Sequence, residues 1–208
     1  MPTALIVDDH PFIRAAARMM LLQEGFEVVG EADNGADALQ MAREHTPDLI
    51  LLDIAMPKLD GLEVISRISG LQLQSKILVL TSQSPMFYAM RCMKAGAAGY
   101  VSKNDDLDEL LKGVKAVMSG YTYFPNLAVS SVRRSDLDAS ELDLIQRLSD
   151  RELTILQQLA RGLSNKEISE SMLLSNKTIS TYKSRLMDKL KLRSVVSLAD
   201  FAKRNHLI

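Results

Sequence analysis

The sequence has little cysteine and no long apolar run, and each absence excludes a class of protein. Its one cysteine, Cys92, cannot form an internal disulfide, which is typical of a protein from a reducing compartment. The longest apolar runs, such as residues 49–52 and 77–80, have the length of a strand and are far too short to span a bilayer. The amino terminus shows no basic segment followed by a long apolar stretch, so no export signal is expected. We therefore expect a cytoplasmic protein without a membrane segment.

The net charge of −1 conceals an uneven distribution of charge along the 208 residues. Residues 1–148 carry 14 basic and 20 acidic side chains, a balance of −6. Residues 149–208 carry 11 basic and 6 acidic side chains, a balance of +5. An acidic module joined to a basic one indicates that only the second module meets a nucleic acid.

The first 120 residues alternate short apolar runs with segments of helical spacing. The strand-like runs are residues 4–7, 26–31, 49–52, 77–80 and 99–101. The helical segments are residues 11–23, 36–44, 62–68, 87–95 and 107–118. Five β-then-α units predict an α/β domain, a five-stranded doubly wound parallel sheet with helices on both faces. In such sheets the functional residues gather at the carboxyl ends of the strands.

The rest of the chain reads as a linker and an all-α domain. Residues 121–146 show no sustained strand pattern and predict a linker, and a short helix over residues 139–147, at the end of this linker, stays open. Residues 147–208 hold four helical segments and no strand pattern. Two of these segments begin with an S-x-x-E capping box, a signature of a helix start. The boxes pair Ser149 with Glu152 and Ser164 with Glu167.

Five polar residues follow the predicted strands and should meet at one edge of the sheet. They are Asp8 and Asp9 after the first strand, Asp53 after the third, Thr81 at the end of the fourth and Lys103 after the fifth. Three nearby carboxylates repel one another unless a cation holds them, and hard oxygen ligands select Mg²⁺. The Thr81 hydroxyl and the Lys103 ammonium suit the oxygens of a phosphoryl group. The set predicts a phosphoryl-transfer site in which Asp53 is the nucleophile.

The motifs that carry these residues resemble the flavodoxin-like receiver domain of two-component response regulators. They read L-I-V-D-D-H, L-L-D-I-x-M-P-x-x-D-G, V-L-T and G-x-V-x-K, and cover roughly residues 3–120. The resemblance implies that Asp53 accepts phosphate from a sensor histidine kinase or a phosphotransfer protein. It also implies that Mg²⁺ is bound by Asp9, Asp53 and the backbone carbonyl of Ala55, with Asp8 acting mostly through water.

The same resemblance assigns Thr81 and Tyr100 as paired switch residues. The threonine hydroxyl would move toward the phosphate while the tyrosine ring turns inward. One position departs from the family pattern, because Lys103 is followed by Asn104 where many receivers have proline. The cis peptide that usually precedes that proline is therefore an open question.

Residues 176–190 divide into an apolar and a polar face on a helical wheel. The apolar face, expected to meet the core, holds Ile179, Tyr182, Leu186 and Leu190, and the polar face holds Lys177, Ser180, Thr181 and Ser184. With the preceding helix, residues 165–173, this segment predicts a helix-turn-helix whose second helix enters the major groove of double-stranded DNA. The alternative is a solvated polar face on a small bundle. The basic residues expected at phosphates are Lys166, Lys177, Lys183, Arg185 and Lys189.

Residues 147–208 resemble the LuxR-type domain of NarL/FixJ response regulators. The motifs are L-S-D-R-E-L-x-I-L-x-x-L-A-x-G-L-S-N-K-E-I, then L-S-N-K-T-I-S-T-Y-K-S-R-L and K-L. The combination of S-N-K-T-I-S-T-Y-K with G-Y-T-Y-F-P, at residues 120–125, looks particularly close to BvgA-type regulators. The resemblance implies promoter DNA as a partner, base contacts from Ser180, Thr181 and Ser184, and Thr178 at the DNA surface. It also implies a homodimer on activation, and it leaves contact with RNA polymerase open. The positions that the family uses for pairing are Val195, Leu198 and Ala199.

Two enzyme classes conflict with the sequence. An aspartate-nucleophile phosphatase on a similar sheet needs a general acid two residues after the nucleophile, and that position is Ala55. A P-loop nucleotide hydrolase needs a G-x-x-x-x-G-K-[ST] motif, which the sequence lacks. We expect no enzyme activity beyond the chain's own phosphoryl transfer and dephosphorylation. A phospho-independent DNA-binding or protein-binding regulator on the same domain plan remains the alternative.

Overall fold

The computed structural model describes residues 1–56, 61–125 and 136–208. It divides the chain into two compact units, Met1–Pro125 and Asn126–Ile208. Residues 57–60 of the M-P-x-x-D-G motif and residues 126–135 of the predicted linker lie outside the described residues. No helix of the described ranges combines the length and apolar character needed to cross a membrane.

The first unit is a parallel sheet with helices, which confirms the predicted α/β class. Its strands are β1 Thr3–Val7, β2 Glu27–Ala32, β3 Leu49–Leu52, β4 Lys76–Thr81 and β5 Gly99–Ser102. Its helices are α1 Pro11–Gln23, α2 Gly35–His45, α3 Gly61–Gly70, α4 Pro85–Ala95 and α5 Leu107–Met118. The strand order is β2-β1-β3-β4-β5, and every pair of neighbours is parallel. Each crossover therefore carries a helix across one face of the sheet.

Burial on both faces explains the continuous apolar runs of the central strands. All four residues of β3 are buried, as are the last four of β1. Alternate side chains such as Ala4, Ile6 and Leu51 pack with the inner faces of α1 and α5 in one apolar core. Cys92, the single cysteine, is fully buried on α4. The sheet edge at which the predicted site residues end the strands is thus backed by a buried apolar core.

The second unit is all-α over its described residues, 136–208, where four helices were predicted and a further short one was left open. They are α6 Asp136–Gln146, α7 Asp150–Ala160, α8 Asn165–Met172, α9 Asn176–Leu190 and α10 Val195–Arg204. The last four correspond to the predicted helix-turn-helix domain. Both predicted capping boxes are confirmed, because the Ser149 and Ser164 side chains accept from Glu152 N–H and Glu167 N–H and both glutamates reach back. Such caps satisfy amide groups that have no partner inside the helix.

The described parts of the predicted linker, residues 121–125 and 136–146, belong to the two units. At its start, Tyr123 pairs with Gly99 of β5 and belongs to the first unit. At its end, residues 136–146 form α6, in which Leu142 and Ile145 are buried. The spacing of these two apolar side chains lets one side of α6 pack against the second unit. The short helix over residues 139–147 that the sequence left open is thus present, and it begins three residues earlier, at Asp136.

Candidate functional site

Three aspartates meet at the carboxyl edge of the sheet. Val7 and Leu52 are register partners in β1 and β3, so the residues after them, Asp8 and Asp53, lie next to each other. One ligand atom from each of Asp8, Asp9, Asp53 and His10 lies within 4.8 Å of the others. Asp8 and Asp53 are each only 2% exposed, whereas Asp9 is partly exposed. Two buried carboxylates this close need a cation, because their mutual repulsion is poorly screened.

Lys103 supplies a positive charge to this pair. Its Nζ lies 2.6 Å from Oδ2 of Asp53 and 2.7 Å from Oδ2 of Asp8. Burial acts to lower the pKa of Lys103, but the hydrogen bonds to Asp53 and Asp8 outweigh burial and raise its pKa. The ammonium therefore stays charged between the two carboxylates.

The loops after β1 and β3 hold the remaining carboxylate oxygens in place. Oδ1 of Asp53 accepts a hydrogen bond from Ala55 N at 2.9 Å, and Oδ1 of Asp8 accepts from His10 N at 2.8 Å. The His10 Nδ1 lies 2.8 Å from Oδ1 of Asp9. His10 is a member of the cluster that the sequence analysis missed, although it directly follows the acid pair. The cluster offers mainly hard oxygen donors, which fits a magnesium ion.

Thr81 and Tyr100 are connected through the backbone of one residue, Gln83. Thr81 is fully buried at the end of β4, and its Oγ1 lies 3.4 Å from Gln83 N, which donates to it. The Tyr100 ring is 1% exposed, and its hydroxyl donates to Gln83 O at 2.6 Å. Burial raises the pKa of Tyr100 far above its usual range. The peptide bond from Lys103 to Asn104, left open by the sequence, is trans.

In the second unit, α8 and α9 are joined by three residues, 173–175. Ile179, Leu186 and Leu190 of α9 are buried, but Tyr182 is only half-buried, so its expected core position is corrected. Of the nine residues predicted to face DNA, seven are exposed and two, Thr178 and Lys183, are half-buried. The exposed seven are Lys166, Lys177, Ser180, Thr181, Ser184, Arg185 and Lys189. One face of α9 thus presents hydroxyl and basic side chains to solvent.

Comparison with known proteins shows which family combines two such units. Residues 4–115 match the response regulator receiver domain, and residues 146–202 match the LuxR family of bacterial regulatory proteins. The chain belongs to the LuxR-type response regulators. The predicted resemblance to this family is therefore confirmed.

This response regulator is similar to named regulators along its whole length. It is 56% identical to the virulence-factor transcription regulator BvgA of Bordetella pertussis, over 98% of this chain and 97% of BvgA. It is 53% identical to a transcriptional regulator of Pseudomonas aeruginosa, over the whole of both chains. Among solved structures, it is similar to RcsB from Salmonella enterica serovar Typhimurium bound to promoter rprA with phosphomimetic BeF3−. That match has 25% identity and a TM-score of 0.72, over 98% of this chain and 99% of the other.

In the response regulator, Tyr123 lies after α5, in the predicted linker, and forms an isolated bridge with Gly99 of β5. Tyr123 O accepts a hydrogen bond from Tyr100 N at 2.7 Å, and Tyr123 N donates to Ala98 O at 3.0 Å. A Cβ on Gly99 would lie 3.0 Å from Tyr123 O, and one on Gly113 would lie 3.2 Å from the Tyr123 ring. Glycine at positions 99 and 113 therefore lets Tyr123 approach β5 closely, next to Tyr100.

Lys189, predicted to contact DNA phosphate, has a partner inside the response regulator. Its Nζ lies 2.7 Å from Oε1 and 2.8 Å from Oε2 of Glu152, whose side chain is almost fully buried at the start of α7. Burial alone would raise the pKa of Glu152, but the hydrogen bonds from Lys189 and Ser149 lower it. The ion pair therefore fastens the end of α9 to α7, a role that the helical wheel could not show.

One residue expected to pair two copies of the response regulator lies in the core instead. Leu198 is fully buried in α10, so it cannot form part of a free dimer surface, and this expectation is corrected. Val195 is 36% exposed, and its neighbour Val196, which the sequence analysis did not select, is 72% exposed. Ala199 is half-buried. Because α10 packs its apolar side on α7, only its outer residues are available to a second copy.

Proposed function

We propose that Asp53 accepts a phosphoryl group from a phosphohistidine on a sensor kinase or phosphotransfer protein. The observation that carries this proposal is the buried pair of Asp53 and Asp8, which share the ammonium of Lys103. A carboxylate oxygen of Asp53 forms a bond to phosphorus while the phosphorus–nitrogen bond breaks. The imidazole leaves and takes a proton from solvent. Lys103 is placed to pair with the charge that the phosphoryl oxygens bring.

The fit of the oxygen donors supports magnesium as the cofactor of this step. Mg²⁺ would be held by Asp8, Asp9, Asp53 and the backbone carbonyl of Ala55. When bound, the ion neutralises charge on the transferring phosphoryl group. The protein itself orients the Asp53 carboxylate and shields it from water. Ala55 N and Lys103 Nζ orient the two oxygens of Asp53, and the buried setting keeps water away from them.

Labelling experiments test the acceptor and the metal requirement together. We expect acetyl phosphate or a cognate kinase to label the wild-type chain only when Mg²⁺ is present. Asp53→Asn should lose the label, because an amide cannot act as the nucleophile. Asp48→Asn is a matched control, because Asp48 is a carboxylate of the same unit that hydrogen-bonds to Thr3 instead. Undiminished labelling of Asp53→Asn would place the acceptor elsewhere.

We propose that Thr81 and Tyr100 convert the phosphorylation state into a change of shape. The backbone of Gln83 connects them, because its N–H donates to Thr81 and its carbonyl accepts from Tyr100. A shift of the Thr81 hydroxyl toward the phosphate would remove one of these two bonds and move the loop that holds the other. Such coupling biases an equilibrium between two states of the receiver.

The output is proposed to be binding of promoter DNA as a homodimer. The hydroxyl and basic face of α9 would enter the major groove, and Lys166, Lys183 and Arg185 would contact phosphates. A single helix-turn-helix contacts a short half-site, so joining two copies raises affinity through effective concentration. We expect sedimentation to show more dimer with phosphodonor than without, both on and off DNA. An equal monomer content in all four conditions would contradict this.

The alternative is a phospho-independent regulator on the same domain plan. Comparing DNA binding with and without a phosphodonor, in the wild type and in Asp53→Asn, separates the two. Phosphorylation control predicts a gain in affinity in the wild type that Asp53→Asn lacks, whereas the alternative predicts equal affinity throughout. We further propose that the chain acts in the cytoplasm as a regulator, without enzyme activity beyond its own phosphoryl transfer and dephosphorylation. Contact with RNA polymerase is left open.

A further inference from the structure

Three hydroxyl side chains on the exposed face of α9 differ in how their protons are used. Oγ1 of Thr181 donates to Lys177 O at 3.0 Å, and Oγ of Ser184 donates to Ser180 O at 3.2 Å. A hydroxyl has one proton and two lone pairs, so a hydroxyl that donates inward can only accept from a further partner. Thr181 and Ser184 therefore present acceptors to whatever meets this face.

Ser180 has the opposite arrangement. Its Oγ accepts a hydrogen bond from Nδ2 of Asn165 at 3.1 Å, and no described residue accepts its proton. Asn165 is the first residue of α8, so it lies outside the helix that carries the three hydroxyls. The amide thus occupies a lone pair of Ser180 and leaves its proton for another acceptor. Ser180 is the outward donor of the three.

We propose that Asn165 is a positioning residue for DNA recognition, which holds the Ser180 hydroxyl as a donor while Thr181 and Ser184 act as acceptors. This inference rests on the proposed DNA-binding function and adds the chemistry of base selection. In the major groove, guanine N7 and O6, adenine N7 and thymine O4 accept, whereas adenine N6 and cytosine N4 donate. Ser180 would favour an acceptor on guanine, thymine or adenine N7 and disfavour cytosine, whereas Thr181 and Ser184 would favour the donors adenine N6 and cytosine N4.

The size of the effect follows from the strength of one neutral hydrogen bond. Such a bond corresponds to roughly a threefold to tenfold preference between bases, well below that of a bidentate arginine contact. We therefore expect moderate preferences at separate base pairs of each half-site. Ser180→Ala should remove the preference at one position, and Ser184→Ala should remove a preference of opposite type at another.

The sharpest test reverses the direction of the hydrogen bond between Ser180 and residue 165. In Asn165→Asp the carboxylate can only accept, so the Ser180 hydroxyl should donate to it and turn a lone pair toward DNA. The preference at the Ser180 position should then turn against guanine and thymine, whose edges only accept, and toward cytosine, whose edge only donates. Asn176→Asp is the matched control, since Asn176 is the first residue of α9 and carries no hydrogen bond to Ser180 among the described contacts. Both variants add one negative charge at a helix start, where such a charge favours the helix.

The measurement is relative affinity for duplexes that differ at one base pair, with acetyl phosphate present and salt held constant. Both variants should bind all duplexes more weakly, because each adds a negative charge facing phosphates. Only Asn165→Asp should reverse one base preference, by roughly threefold or more. Thermal unfolding of each variant confirms that it is folded.

Equal weakening of every duplex by Asn165→Asp, with the wild-type order of bases kept, would overturn the assignment. So would a Ser180→Ala variant that keeps all base preferences. A wild-type chain that selects no sequence, with or without phosphodonor, would remove the proposed DNA-binding function and this inference together. A wild-type chain that selects a site, combined with an unreversed Asn165→Asp, would remove only the inference.

Discussion

The ammonium of Lys189 bonds to both carboxylate oxygens of Glu152, 37 residues earlier in the chain. The glutamate is almost fully buried and also accepts hydrogen bonds from the backbone and the hydroxyl of Ser149. One carboxylate therefore caps α7 and holds the end of α9. Because Lys189 already neutralises this buried charge, it is less available to a DNA phosphate than its neighbours on α9.

The ion pair gives Lys189 a different role from Lys183, although both were predicted from the sequence to contact DNA phosphates. We expect Lys189→Met to lower the free energy of unfolding by about 1–2 kcal/mol, a value reduced by the partial exposure of the lysine. It should leave the salt dependence of DNA binding unchanged. Lys183→Met should instead keep stability and reduce the slope of log affinity against log salt by about one unit. Urea unfolding and binding at several salt concentrations measure both. A reduced salt slope of DNA binding in Lys189→Met would show that Lys189 does contact a DNA phosphate.

The Lys189–Glu152 ion pair should make the free energy of unfolding depend on pH. The pKa of Glu152 is lowered from its ordinary 4.5, so its contribution is present above about pH 4.5 and is lost as pH falls below that value. Glu152→Gln lacks this ionisation. We expect the wild type to be more stable than Glu152→Gln at pH 7, and this advantage to shrink as the pH is lowered toward 4 and below. A difference that stays constant with pH would show that the charge contributes nothing.

Removal of Lys103 should make the receiver depend on magnesium for stability. In Lys103→Met the buried carboxylates of Asp8 and Asp53 lose their cation, so unfolding in EDTA should occur at lower urea than for wild type. Mg²⁺ should stabilise this variant more than wild type, because ligand binding to the folded state shifts the unfolding equilibrium. Lys76→Met, an exposed lysine on β4, is the control. Equal magnesium effects in all three chains would contradict the assignment of this site.

The segment at Tyr123 should respond to alkaline pH. Burial and a hydrogen bond to Glu109 raise the pKa of Tyr123 to about 12, above the ordinary value of 10. The raised pKa means that its contribution to stability is present below pH 10 and is lost as pH rises from about 10 through about 12. We expect wild type to exceed Tyr123→Phe in stability at pH 8 and to lose this advantage by pH 11–12. Tyr121→Phe, at a tyrosine that is 73% exposed, should match wild type throughout.

Local sequence patterns determined the fold class, most element positions and the acidic site. The ends of β1, β3, β4 and β5 could be read from apolar runs, and parallel strands bring their carboxyl ends to one edge. Asp8, Asp53 and Lys103 therefore had to converge once the sheet formed. The capping serines were equally predictable, because a cap involves residues only three positions apart.

Tertiary packing decided what these patterns leave open. A helical wheel shows which residues share a face but not which distant charge meets them, so the Lys189–Glu152 pair was missed. Leu198 lies in the core because α10 packs on α7. The sequence of α10 alone does not define which of its sides faces α7. Tyr123 joins β5 because Gly99 and Gly113, distant in sequence, leave space for it. Each of these three contacts joins residues of different secondary-structure elements. Such a contact forms only when those elements pack together, so the local sequence of one element cannot predict it.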